Sequence, residues 1–581
     1  MKRTMLMAAA SLAVSALTGC GGGSGPAVNF NLSPTIMVSP ATANLQQGSR
    51  QQFFATVTNS VDDSVTWEVN GTIGGNTLVG TIDTNGVYTA PDVVPTPPAV
   101  AVTAVLNAAT DFSGSSILTV TSVVFNNSSL KGNYVLSLKG TDSTGSAFYA
   151  VGTITADGNG TITGGEEDLN DLSSGYARAT SVTGNYTIGP DGRGTLDLNS
   201  SLGSFSYAIA LKALDNAGLN EMDNVVINAS GALEVQTVNV VAPSGSYAFG
   251  FSGKSSGCAA LNSIGIFGLN AGAVNGVQDE NCAGTISQGQ ELSGSYSAID
   301  ALGRGTGSFS AATGTSDFTY YAVSANRYRF LSSDRGTAFL GSADLQTKTS
   351  FSASDFQGNY IIASSASSQT GLSNTLVSIS ASSGSIPTGY LDINDTGNFS
   401  SLNLTGAYSL NSNGHIGGTL DGSITAFPFS MYLVSPTQGY YLDLLTTESG
   451  GGTVYAQDRI AAMLGKAAWA GSYATEQYGY FTGGGVISPG NSTSVSGQIS
   501  ANGNGGLSGT LDFNDPTDVF PDLPLQGSYS IDLAILGRMS VKMTTMNGTR
   551  NYIGYIVDQK HIQLLEIDST ITASGDAIRQ F

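Results

Sequence analysis

One motif recurs four times in this chain, and its spacing constrains the fold more than any other feature. Leu130-Lys131-Gly132-Asn133-Tyr134 opens the first copy, Ser244-Gly245-Ser246-Tyr247 the second, Gln357-Gly358-Asn359-Tyr360 the third and Ala470-Gly471-Ser472-Tyr473 the fourth. The glycines at 132, 245, 358 and 471 are 113 residues apart each time, and four such units fill residues 130 to 581. A repeat this long is one structural unit per copy. Further marks recur inside each copy. A second Gly-x-Tyr stands at Gly184-Asn185-Tyr186, Gly294-Ser295-Tyr296, Gly406-Ala407-Tyr408 and Gly527-Ser528-Tyr529. Gly192-Arg193, Gly303-Arg304, Gly414-His415 and Gly537-Arg538 follow. An aromatic pair comes next, as Phe205 and Tyr207, Phe318 and Tyr320, Phe427 and Phe429, with a looser version in Tyr552 and Tyr555. An Asp after an apolar strand (Asp223, Asp334, Asp443, Asp568) and a closing Gln (Gln236, Gln346, Gln457, Gln580) complete the unit.

Between the marks the pattern alternates apolar and polar, as in Tyr134-Val135-Leu136-Ser137-Leu138. Asp157-Gly158-Asn159-Gly160 and Asn502-Gly503-Asn504-Gly505 are hairpin turns, because Asn, Asp and Gly tolerate positive φ. With 76 glycines and only 11% charged residues, the chain is unsuited to long helices; at 40% apolar it is unsuited to disorder. About eight strands fit each copy. The expected fold class is therefore all-β, with an Ig-like β-sandwich followed by four tandem antiparallel barrels of about eight strands each. Sandwich repeats are one alternative. An eight-bladed propeller is the other, but the offsets of 52, 49, 48 and 56 between paired Gly-x-Tyr marks disfavour it. The opening strand and Gly-rich hairpins resemble avidin-like and lipocalin-like barrels, a likeness of topology.

The first 122 residues are different. Lys2 and Arg3 precede an apolar run of thirteen, Met5 to Leu17, too short to span a bilayer. It ends in Leu17-Thr18-Gly19-Cys20, which resembles a bacterial lipobox. The resemblance implies a signal peptide over 1–19, lipidation of Cys20 and a location in the cell envelope, at the outer membrane or surface of a bacterium. Residues 20–32 read as a flexible tether. Over 33–122, Val38-Ser39-Pro40, Gln52-Phe53, Val65-Thr66-Trp67 and Gly86-Val87-Tyr88-Thr89-Ala90-Pro91 resemble the bacterial Ig-like domains of surface proteins. The repeats then take 130–240, 243–347, 355–460 and 468–581. An integral outer-membrane barrel is disfavoured, because Arg327, Arg329 and Arg579 interrupt any lipid-facing row.

Removing Lys2 and Arg3 takes the net charge from −21 to −23, which argues against nucleic acid or anionic lipid as partners. Cys258 and Cys282, 24 positions apart, are a natural disulfide in an exported protein; free thiols are the alternative. The only histidines, His415 and His561, lie in different copies and read as solvated; they build neither a triad nor a zinc cluster. An acidic turn recurs: Glu166, Glu167, Asp168, Asn170 and Asp171, then Asp279, Glu280 and Asn281, then Asp392, Asn394 and Asp395, then Asp512, Asn514 and Asp515. Plain turn chemistry is the expectation there and calcium the lesser reading; no cofactor is expected. The repeated aspartates raise glycoside hydrolysis as a remote option. The function expected is non-enzymatic display, adhesion or binding of an extracellular glycan, protein or small ligand. Carriage of a small apolar ligand in the barrels is the alternative, and a carbohydrate-active enzyme ranks last.

Overall fold

The computed structural model describes residues 32–581 apart from 143, 213–215, 222–226, 238–242, 369–370, 424, 483–490 and 516–517. The expected signal peptide, Cys20 and nearly all of the expected tether lie outside the described residues, as does Asp223. The chain divides near residue 121 into two units.

The first unit is built from short strands. A five-stranded sheet runs in the order Thr42–Gln46, Ser113–Thr121, Ala99–Leu106, Val65–Val69, Thr72–Ile73. A four-stranded sheet runs Arg50–Gln52, Val87–Thr89, Gly80–Ile82, Gly75–Asn76, and Thr35–Ser39 pairs with Phe54–Thr58. Period-two alternation puts Val100, Val102, Ala104 and Leu106 on one buried face, with Phe53, Trp67 and Tyr88 also in the core.

The second unit holds four closed eight-stranded antiparallel barrels in tandem, and is neither sandwich repeats nor a propeller. Barrel 1 spans Lys131–Asp142 to Ile227–Val235, barrel 2 Gly245–Ser255 to Thr337–Leu345, barrel 3 Gly358–Ser368 to Glu448–Ala456, and barrel 4 Ala470–Phe481 to Ile571–Arg579. In barrel 1 the fourth strand is split into Gly175–Ala179 and Thr183–Ile188, both paired to Thr161–Asp171.

The repeat marks are the fastenings of this barrel. Gly132, Gly245, Gly358 and Gly471 all have φ between +105° and +119°, which favours glycine at the start of the first strand. The tyrosine two residues later is buried in each barrel. Tyr247, Tyr360 and Tyr473 donate to the carbonyls of Ala325, Pro436 and Gln559 in the turn between the sixth and seventh strands. The second tyrosine ties down the segment entering the barrel: Tyr186 donates to Leu130 O, Tyr296 to Pro243 O, Tyr408 to Phe356 O and Tyr529 to Trp469 O, each at 2.7 Å.

The four barrels close into a ring. The closing Gln of each copy reaches into the next barrel. Gln236 donates to Leu302 O and Ala322 O, Gln346 to Asn413 O and Leu433 O, and Gln457 to Leu536 O and Ile556 O. Gln580, at the end of barrel 4, donates to Asp191 O of barrel 1 at 2.9 Å. The same head-to-tail contact thus recurs at every junction, and a heterologous contact whose rotation closes makes a ring.

Ion pairs follow the same scheme. Asp168 of barrel 1 meets Arg304 of barrel 2 at 2.7 Å, Asp392 of barrel 3 meets Arg538 of barrel 4 at 2.8 Å, and Asp512 of barrel 4 meets Arg193 of barrel 1 at 2.6 Å. Between barrels 2 and 3 the pair is Asp279 with His415, at 3.1 Å.

Candidate functional site

The barrels differ in how completely side chains fill them. Pairing register aligns them through their fifth and sixth strands, where Arg304 faces Tyr321, His415 faces Tyr432 and Arg538 faces Tyr555. Barrel 2 is packed with stacked and tilted rings: Phe249, Phe251, Phe267, Phe309, Phe318 and Phe330 lie within 4.1–6.3 Å of one another in successive pairs. A void of about 10 Å³ lies there, lined by Phe267 and Phe309 among others. In barrel 3 Phe427 and Tyr441 crowd the mouth and leave about 40 Å³. In barrel 4 the register puts Arg550 where barrel 3 has Phe427, and Leu564 where it has Tyr441. There the mouth opens into a cavity of about 650 Å³. That is the size of a small-molecule site.

Its described walls are assigned by strand. Leu511, Phe513 and Asp515 come from the third strand, Gly506–Asp515; alternation puts all three on the inner face. Phe481 ends the first strand and Phe520 lies near the start of the fourth. Met543 and Thr545 come from the fifth strand, Arg550 and Tyr552 from the sixth, and Asp568 to Ile571 close the ring of contacts. The floor is apolar and aromatic, while Asn491, Asn547, Thr549 and Ser569 give the wall hydrogen-bonding groups.

Three charged groups line this cavity, and a fourth lies beside Arg550. The Arg550 guanidinium lies 4.6 Å from the Phe513 ring centroid. It faces Asp515 at 3.3 Å and Glu566 at 3.4 Å. Glu566 is fully buried, and its Oε1 has no partner. Burial pushes its carboxyl up to about 7, against the opposing pull of Arg550. Asp568 accepts from the Asn551 backbone N–H at 2.8 Å and from Asn551 Nδ2 at 2.7 Å. Asp515 also accepts from the Thr493 hydroxyl.

Sequence reasoning named Asp515 and Asp568 separately; folding brings them to one cavity. It missed Arg550 and Phe513. The available signal was the looser aromatic pair of the fourth copy: register aligns Arg550 and Tyr552 with Phe427 and Phe429 of barrel 3.

The other singled-out residues serve elsewhere. The acidic segments are strand ends at barrel junctions and not simply turns, because their carboxylates and amides pair with the neighbouring barrel. Asp168, Asp279, Asp392 and Asp512 are the junction carboxylates described above. Asp168 also accepts from Tyr321 at 2.6 Å and Asp392 from Tyr555 at 2.7 Å. Asn170 donates to Ser332 O and Thr337 O, Asn281 to Asp443 O and Glu448 O, and Asn394 to Glu566 O and Ile571 O, always in the following barrel. At the fourth junction Asn228 of barrel 1 donates to Asn514 O at 3.0 Å. Asp171 does make a turn, accepting from the backbone of Ser173. Asp395 accepts from Thr396. Among the described residues no group of three or more His, Cys, Asp or Glu is placed to hold a metal ion.

The histidines are not solvated. His415 stands in register with Arg304 and Arg538 and contacts Asp279 and Ser430 at 3.1 and 3.0 Å. His561 packs edge-on to Tyr455 of barrel 3, 4.9 Å between centroids, and burial lowers its pKa. Asp334 and Asp568 cap equivalent amides, those of Asp317 and Asn551. Asp443 is out of step with them; it ends the seventh strand, where barrel 4 has Glu566. Cys258 and Cys282 lie on adjacent strands with Cα atoms 5.6 Å apart and their sulfurs together.

No protein-family model and no curated protein matches the chain. Among solved structures it is similar to the isotype 1 transferrin binding protein B of serogroup B Neisseria meningitidis, at 11% identity over 64% of this chain and 83% of that one, with a TM-score of 0.19. Similar values hold for an intact transferrin binding protein B with N and C lobes (10% identity, 64% and 86% covered, TM-score 0.19). The protein from Haemophilus parasuis Hp5 gives 11% identity, 64% and 85% covered, and a TM-score of 0.18. Superposition this poor carries no inference about shared architecture or role.

Proposed function

We propose that this chain is a non-enzymatic binding protein of the bacterial cell envelope, and that barrel 4 is its ligand-binding barrel. One observation carries the reading: a cavity of about 650 Å³ in barrel 4, beside residual voids of about 40 and 10 Å³ in barrels 3 and 2. An apolar floor under a few convergent polar groups suits a small amphipathic ligand. Barrels 3 and 1 hold barrel 4 from its two sides, through Gln457 and Gln580.

In this reading residues 1–19 are a signal peptide, Cys20 carries lipid, residues 20–32 are a tether and 33–122 an Ig-like spacer. Cys258 and Cys282 form a disulfide, which an exported protein retains. Cys20→Ala should move the protein from the membrane fraction to the soluble one; membrane retention by the variant refutes the anchor. For the cavity, the probe is Nile red, a neutral apolar dye, titrated into the full chain. Saturable fluorescence enhancement is expected, and Met543→Trp, which fills the cavity from its wall, should abolish it. Undiminished enhancement in that variant places the dye elsewhere and overturns the reading.

A further inference from the structure

The charges around the barrel 4 cavity favour one class of ligand. Its wall presents two carboxylates, Asp515 and Asp568, against a single guanidinium, Arg550. That guanidinium is already engaged: it stacks on Phe513 and faces both Asp515 and the buried Glu566. An anion entering here would meet two carboxylates and would have to separate Arg550 from its partners. Asp568 is held differently. Its two oxygens each accept one bond from Asn551, and no cation in the described structure pairs with it. Phe481, Phe513, Phe520 and Tyr552 line the same space, and aromatic rings tolerate a positive head group. Outside the cavity, a chain of net charge −21 draws cations toward it.

We propose that the barrel 4 cavity binds an organic cation: an amine or amidine head group at Asp568, on an apolar body that lies over Phe513 and Met543. Arg550, which faces two acids already, leaves the charge of Asp568 unpaired among the described residues. The proposal deepens the binding reading above and rests on it.

The test uses three probes of one chain length, decylamine, decanol and decanoate, titrated calorimetrically into the full chain at pH 7.5 and low salt. Decylamine should bind about tenfold more tightly than decanol, and decanoate more weakly than decanol. Asp568→Asn keeps one of the two acceptor oxygens toward Asn551 and removes the charge; it should cost decylamine about tenfold and leave decanol unchanged. Equal affinity for the three probes, all lost in Met543→Trp, overturns the cation assignment while the cavity reading stands. An amine preference that Asp568→Asn does not reduce also overturns it. Binding of none of the three overturns both.

Discussion

Barrels 3 and 4 share strand order, register and fastenings, yet one is filled and the other is open. The difference lies in a few inward positions at the mouth. Phe427 and Tyr441 in barrel 3 correspond to Arg550 and Leu564 in barrel 4, exchanging two aromatic rings for a charged chain and a smaller apolar one. The end of the seventh strand changes too. Barrel 3 has Asp443, whose carboxyl burial raises with added repulsion from Glu448. Barrel 4 has Glu566, with Arg550 against it. In a closed barrel the interior is either packed by side chains or left for a ligand. One repeat can therefore serve as scaffold and site without any change of backbone plan.

The largest effects that test this contrast are in the cores. Tyr441→Ala should cost barrel 3 about 3–5 kcal/mol in denaturant unfolding, because a packed ring leaves a void. Met543→Ala should cost barrel 4 only about 2 kcal/mol, since the cavity already denies that side chain partners on one face. Equal losses would mean that the two mouths are equally filled.

Barrel 3 also lies between two unlike junctions. Asp392→Ala leaves Arg538 buried without its main partner and should cost about 3–5 kcal/mol. Asp279→Ala leaves a half-buried imidazole that keeps its contact with Ser430, and should cost about 1–3 kcal/mol. The reverse order would show that His415 contributes to its junction as an arginine does.

A further effect is one of pH. Glu566 is raised from its ordinary value of 4.5 to about 7, so the folded state holds a proton that the unfolded state releases. Its stability contribution is therefore full below about pH 4.5 and declines as pH rises to about 7, then levels off. Glu566→Gln should flatten this decline, worth up to about 3 kcal/mol, in melting curves between pH 4.5 and 8. An unchanged slope would mean that Arg550 holds Glu566 ionised.

Much of this fold was legible because its constraints are local. The left-handed glycines, the buried tyrosines and the hairpin turns recur at fixed intervals, and eight strands per interval define a barrel. The closing glutamines and the Gly-Arg turns were visible as marks, but their purpose was not. Gln236 and Arg304 matter through a neighbouring barrel, and one-dimensional spacing does not reveal which barrels touch. The acidic segments resembled turns for the same reason: Asp168 and Asn170 look solvated until the next barrel is in place. The cavity was the least legible feature. It arises from rings that barrel 3 has and barrel 4 lacks, and only correct register shows that Arg550 stands at a position where Phe427 lines barrel 3.

The most direct measurement is hydrogen exchange by mass spectrometry on the full chain, with and without saturating decylamine or Nile red, whichever binds. Protection is expected in peptides covering 506–515, 543–552 and 566–571, with barrels 2 and 3 unchanged. Protection centred on barrel 2 or barrel 3, or spread evenly over the four, would contradict a single ligand-binding barrel.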